Sequence, residues 1–154
     1  MKNRRGLALS EVLVACLIGL LAFLGTMLYQ YYGAYNAKQA DTKNTASRLG
    51  CMLLENWKGT GARVSYDPLV YYQQSMEISD SDVELENKLE NVCGTYHINL
   101  YGIDFYAVLS YRDTGVQNPR LISVSVAWTN DGLQWDTEKG CHYVSLSSYT
   151  EADI

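Results

Sequence analysis

Residues 4–28 read RRGLALSEVLVACLIGLLAFLGTML, and the reading of this stretch decides the fold. Leu7 to Leu28 is a run of twenty-two residues whose only polar members are Ser10, Glu11 and Thr26. No charge occurs from Val12 to Leu28. At ~1.5 Å per residue, a helix over the run spans roughly the ~30 Å hydrocarbon core of a bilayer. The stretch therefore reads as a transmembrane helix. Lys2, Arg4 and Arg5 precede it and hold that end in the cytoplasm by the positive-inside bias. Everything after Tyr29 is then expected outside the membrane. One residue conflicts with this pattern. Glu11 stands near the start of the apolar run, and an ionised carboxylate in hydrocarbon is costly unless it has a partner or a purpose.

Three readings compete for this end. A secretory signal peptide needs a small-residue cleavage site after the apolar run. The chain there reads YQYYGAYNAK, and Gly33-Ala34-Tyr35 and Asn36-Ala37-Lys38 match such a site poorly. A plain signal anchor explains the length and the basic flank but gives Glu11 no role. The third reading accounts for all the pieces. Arg5-Gly6-Leu7-Ala8-Leu9-Ser10-Glu11 resembles the class III leader of type IV pilins and type II secretion pseudopilins. In that family a short basic leader ends in Gly, an apolar residue follows, and a Glu stands fifth after the cut. The resemblance implies cleavage between Gly6 and Leu7 by a prepilin peptidase, N-methylation of Leu7, and an assembly role for Glu11. It is specific over residues 4–28 and architectural beyond them.

Departures from the family narrow the reading. Leu7 stands where Phe or Met is usual, and Ala8 where Thr is frequent. The apolar helix has no proline, and Gly19 and Gly25 supply its weak points, each loosening a helix by ~1 kcal/mol relative to Ala. That pattern fits a minor pilin or minor pseudopilin better than a major subunit. The implied function is a non-enzymatic structural subunit of a type IV pilus or type II secretion-like filament. Its implied partners are the prepilin peptidase, other pilin or pseudopilin subunits, an inner-membrane assembly platform and membrane lipid. The rival reading is a single-span, membrane-anchored extracytoplasmic binding or adhesive domain outside any filament.

Helical signals continue past Leu28. On an ideal helix Tyr31, Tyr32, Tyr35, Ala46, Leu49, Leu53 and Trp57 share an arc of roughly 100°, with Asp41, Asn44, Arg48 and Glu55 opposite. This amphipathic stripe predicts packing on a sheet. Gly59 is expected as the left-handed cap that ends the helix. One helix from Leu7 to Lys58 would be ~78 Å long, the lollipop helix the resemblance implies. The organisation reads as a leader (1–6), a transmembrane helix (7–28), its amphipathic continuation (29–58) and a globular domain (59–154).

Within that domain Asp67-Pro68 suggests a turn. Ser81-Asp82-Val83-Glu84 resembles a capping box and predicts a short helix near 82–92. Strand signals then dominate. Tyr96, Ile98 and Leu100 alternate within 95–101, as do Phe105, Ala107, Leu109 and Tyr111 within 104–112, with Gly102-Ile103 as the turn between. Ile122, Val124, Val126 and Trp128 alternate within 120–129. Asn130-Asp131-Gly132 signals a hairpin, Gln134-Trp135 a return strand, and 142–149 a last strand. The fold class is α+β, a long helix on a small antiparallel sheet.

The chain carries 12 basic and 17 acidic residues, a net charge of −5, so no basic stripe invites nucleic acid. Of four cysteines, Cys16 lies in the apolar run as a lone thiol. Cys93 and Cys141 each precede a strand in an oxidising compartment, and their position and compartment suggest a disulfide. Cys51 is left over, either free or the true partner of one of the others. Asp80, Asp82 and Glu84 form D-x-D-x-E, which offers oxygens to calcium, and some pseudopilins bind calcium. The match lacks the EF-hand glycine and remote Glu, and a solvated helix start explains these acids more cheaply. No cofactor is expected. His97 and His142 fall in strands without other ligands at metal spacing. No nucleophile motif or phosphate loop occurs. Most of the thirteen tyrosines are expected on core faces, with an adhesive surface as the alternative.

Overall fold

The computed structural model describes residues 4–83, 88–114, 119–129 and 142–151, the side chains of residues 4–8 and 151 aside. Its first element is α1 (Arg4–Gly59), a single helix of 56 residues. The chain divides into two compact units, one ending at Asp41 and the other starting at Thr42.

In the first unit α1 has no buried face. Every large apolar side chain from Leu9 to Leu28 is more than half exposed, and Tyr31, Tyr32 and Tyr35 are exposed as well. The expected stripe is therefore shorter than the sequence suggested. Of its members only Ala46, Leu49, Leu53 and Trp57 are buried, and all four belong to the second unit, where a sheet covers them.

That sheet has five antiparallel strands in chain order: β1 (Glu77–Asp80), β2 (Asn91–Leu100), β3 (Ile103–Asp113), β4 (Pro119–Trp128) and β5 (His142–Glu151). With α1 against it, this is the α+β arrangement the alternation implies. The period of two places Ile98 of β2, Phe105, Ala107 and Leu109 of β3, and Ile122, Val124 and Val126 of β4 on the helix side, all fully buried. They form one core with Leu53 and Trp57. Gly50 lets the helix come close, since a Cβ there would lie 2.9 Å from Leu146 Cδ1 and 3.4 Å from Val126 Cγ2.

The left-handed cap stands two residues later than expected. Gly59 is still helical, and the left-handed residues are Gly61 (φ 74°) and Ala62 (φ 49°). The Ala62 amide donates to the Trp57 carbonyl at 3.0 Å and the Gly61 amide to Lys58 at 2.9 Å. This pair of bonds is a Schellman motif, with Gly61 as its left-handed residue. Trp57 Nε1 donates to the Arg63 carbonyl at 2.9 Å, so the indole and the chain beyond the cap hold each other.

Asp67-Pro68 is the start of a helix as well as a turn. Asp67 Oδ1 accepts from the Leu69 amide at 2.9 Å and caps α2 (Pro68–Tyr72), with Pro68 in the first turn where its missing N–H costs nothing. The helix expected near 82–92 is not found among the described residues. Residues 81–83 and 88–90 are irregular and β2 starts at Asn91; Glu84 lies outside the described residues. Ser81 Oγ accepts from the Val83 amide at 3.3 Å, a local turn rather than a helix cap. Asn91 and Val92 instead pair with Tyr111 and Ser110, and ladder pairing wins over the helix that the capping box suggested. The β2–β3 turn is Tyr101-Gly102, both with positive φ (55° and 75°), and Leu100 faces Ile103 across it. That is a two-residue type I′ hairpin. The hairpin and return strand read at 130–135 lie outside the described residues.

Candidate functional site

The sequence places the site in the first unit of α1. The Gly6–Leu7 peptide falls in the first turn of that helix, where backbone N–H groups lack intrahelical acceptors and the chain opens most cheaply. Glu11 follows one turn later and is exposed. No ion pair engages it among the described residues. Beyond it the helix is long and apolar enough to cross a membrane. Thr26 suits such a setting, because its hydroxyl donates to the Phe23 carbonyl at 2.8 Å and is satisfied within the helix.

One feature of this helix escapes a reading based on hydropathy alone. At ~100° per residue, Ala15, Gly19, Ala22, Thr26, Gly33 and Ala37 share an arc of roughly 60°, and Glu11 borders it. A Cβ added at Gly19 or Gly33 would meet nothing within 4 Å, so no contact inside the chain requires glycine at either position. Small residues at this spacing let helix backbones approach closely in lipid. The signal was present in the sequence as small residues three, four and seven apart.

The other residues singled out from sequence do not converge. Cys16 and Cys51 are exposed free thiols, and Cys93 is a half-buried free thiol. The Cys93–Cys141 disulfide is not found, and Cys141 lies outside the described residues. Its neighbour in sequence, His142, pairs with Trp128, which pairs through Phe105 to Ile98. Cys93 is five residues further along β2 and three strands from β5, so Cys93 and His142 are ~20 Å apart by standard sheet spacings. Cys93 occupies a bulge between Val92 and Gly94. Burial pushes its thiol up to about 11, opposed in part by the charge of Arg120.

Asp80 ends β1 opposite Tyr96, and Asp82 lies in the loop beyond. Among the described residues no group of three or more His, Cys, Asp or Glu could hold a metal ion.

The structure adds a polar cluster that the sequence did not reveal. Asp104 accepts from Asn99 Nδ2 at 2.7 Å and lies 3.0 Å from His97 Nε2. Asp104 is held below the usual carboxylate range, chiefly by the Asn99 hydrogen bond, with burial opposing and His97 adding. His97 also leans on the Tyr106 ring at 5.1 Å. These groups come together because the hairpin pairs Asn99 with Asp104 and His97 with Tyr106. The cluster ties the hairpin together. An open cleft of about 340 Å³ lies beside the end of α1, lined by Thr60, Arg63, Ser65, Tyr66 and Tyr71.

Comparison with family models, with curated proteins and with solved structures finds no match to this chain.

Proposed function

We propose that this chain is a non-enzymatic structural subunit, a minor pilin or minor pseudopilin, of a type IV pilus or type II secretion-like filament. On this reading a prepilin peptidase removes residues 1–6, Leu7 becomes the N-methylated terminus, and the subunit enters a filament through α1. Before assembly it rests in the inner membrane with its globular domain outside.

The observation that carries the reading is Glu11, an exposed carboxylate at the head of an apolar helix, with no ion-pair partner among the described residues. Cleavage before Leu7 creates a cation at the same end of the helix. Glu11 of one subunit and the amine of a neighbour then neutralise each other only in an assembly. A buried charge left without its partner costs ~3–5 kcal/mol, so the pairing sets the register of one helix against the next. The stripe from Ala15 to Ala37 supports this, since it permits the close helix approach the pairing needs.

Mass spectrometry of the mature N-terminus tests the proposal. The expected product begins at Leu7 and carries one added methyl group. Retention of Met1, or a cut after residue 28, overturns it; the first outcome leaves a single-span anchored domain.

A further inference from the structure

Among the described residues the sheet has two edges, β1 and β5, and they are built differently. β1 has four residues, two of them acidic, Glu77 and Asp80. β5 pairs with β4 at ten consecutive positions without a bulge, and no Lys, Arg, Asp, Glu or Pro occurs from His142 to Thr150. Edge strands carry a row of outward N–H and C=O groups that can template another strand. Proteins ordinarily blunt them by shortness, charge, proline or a bulge. β1 uses the first two of these devices, and β5 uses none before Glu151 at its very end.

The sequence of β5 points to what pairs with it. Tyr143-Val144-Ser145-Leu146-Ser147-Ser148-Tyr149 is nearly a palindrome about Leu146. Antiparallel pairing of two such strands, centred there, sets Leu146 against Leu146, Ser145 against Ser147 and Tyr143 against Tyr149. We propose that β5 is a self-association edge, at which two copies of this chain join by antiparallel β5–β5 pairing into one ten-stranded sheet. The interface is isologous, with the same surface used by both copies, and so closes at two.

Both faces of β5 suit this pairing. On the face away from α1, Ser145 Oγ lies 3.0 Å from Ser125 Oγ, and Ser147 donates to Ser123 at 2.9 Å. A second copy continues this row of hydroxyls with its own Ser147 and Ser145. Tyr143 and Tyr149 flank the row, 58% and 67% exposed, and each gains a tyrosine directly across the new strand pair, a stabilising neighbour in antiparallel sheets. On the face toward α1, Leu146 is half-buried against the core and meets its own counterpart at the two-fold axis. An unrelated strand could satisfy the backbone groups, but a second copy sets tyrosine against tyrosine, serine against serine and leucine against leucine in this register, with only Val144 against Ser148 unlike within Tyr143 to Tyr149.

The test is the mass of the full-length chain in detergent micelles, measured by sedimentation over a range of concentrations. A reversible dimer is expected. Tyr143→Lys together with Tyr149→Lys sets lysine against lysine at both ends of the pairing, and should weaken the dimer by about tenfold or more. Tyr143→Glu with Tyr149→Glu should do the same alone, and an equimolar mixture of the two variants should recover the dimer. Both tyrosines are exposed, so the fold survives, and the recovery guards against a variant that fails for another reason. A chain that stays monomeric overturns the proposal, as does a dimer that the lysines leave unchanged. Neither result involves leader cleavage, so the test is independent of the filament reading.

Discussion

Arg120 donates from Nη1 to the carbonyl oxygen of Ala62 at 2.8 Å, joining the start of β4 to the chain just beyond α1. Its Nε donates to Asp113 at 2.7 Å, and the guanidinium lies over the Tyr111 ring, 4.7 Å from its centroid. Ala62 is fully buried in the left-handed region, as the last residue of the Schellman motif that stops the helix. Its carbonyl is turned from water, and Arg120 supplies the donor. The end of α1 and the sheet are thus held by one side chain that is 14% exposed.

Replacing Arg120 by Ala leaves the Ala62 carbonyl and the Asp113 carboxylate without their donor. Hydrogen bonds to charged groups contribute ~1.5–3 kcal/mol, so a loss of about 2 kcal/mol is expected. Arg120→Lys should recover less than half, because an ammonium cannot reach two acceptors in the fork geometry while stacking on a ring. Urea unfolding followed by tryptophan fluorescence reads the change, since Trp57 is fully buried. A midpoint unchanged in Arg120→Ala would show that the loop after α1 is held by other contacts.

The Cys93 thiol, pushed up to about 11 by burial, should alkylate slowly at pH 8, where little of it is thiolate. Cys51 is exposed on α1 and should react first. Peptide mapping after timed iodoacetamide treatment separates the two. As pH rises toward 11, Cys93 should catch up. Equal rates at pH 8 would contradict the burial of Cys93.

Acid should loosen the β2–β3 hairpin in a predictable direction. Asp104 is held below its ordinary value, first by Asn99 and then by His97. Its contribution is therefore present above the unfolded carboxylate range, near pH ~3.9, and is lost as pH falls through the lower folded value. Asp104→Asn removes that dependence. Because the carboxylate side is 46% exposed, the effect at pH 7 is modest, within about 1 kcal/mol. Comparing unfolding midpoints between pH 5 and pH 2 for the two proteins checks it. A parallel acid decline in both would assign the loss to other carboxylates.

β3 and β4 were legible because apolar side chains recur at every second position, although β4 is buried on both faces from Ile122 to Trp128. Phe105, Ala107 and Leu109 announce β3 by a period of two, as Ile122, Val124 and Val126 announce β4. β1 shows no such period, since Ile78 alone is buried in its four residues, and its place depends on pairing with β2. The stripe on α1 misled at Tyr31, Tyr32 and Tyr35, because periodicity states which face is apolar but not where its cover ends. Val92 fell within the helix expected near 82–92 and joined a ladder instead, a tertiary choice that local pattern does not contain. The cap moved from Gly59 to Gly61 for a related reason: Trp57 must be carried far enough to bury and to reach Arg63. At the candidate site, Gly6, Leu7 and Glu11 were readable because they depend on order along the chain. The His97, Asn99 and Asp104 cluster depends on hairpin register, which only the fold supplies.

On the proposed filament reading, Glu11→Val separates insertion from assembly. Removing the carboxylate lowers the cost of placing the helix in lipid, because charged residues oppose insertion by ~2.5–3.5 kcal/mol at a helix centre and less toward its ends. Membrane recovery should therefore stay equal or rise, and cleavage after Gly6 should continue, since the peptide cut lies a full turn away. Incorporation into a filament should fall sharply, because the neighbouring amine then enters the apolar assembly without a counter-charge, at ~3–5 kcal/mol. Glu11→Asp keeps the charge on a shorter arm and should assemble at an intermediate level, which a simple change in helix hydrophobicity would not produce. The measurement is the ratio of filament-bound to membrane-bound chain in cells lacking the wild-type copy. Normal incorporation of the Val variant would remove Glu11 from any registering role and with it the main support for the filament reading.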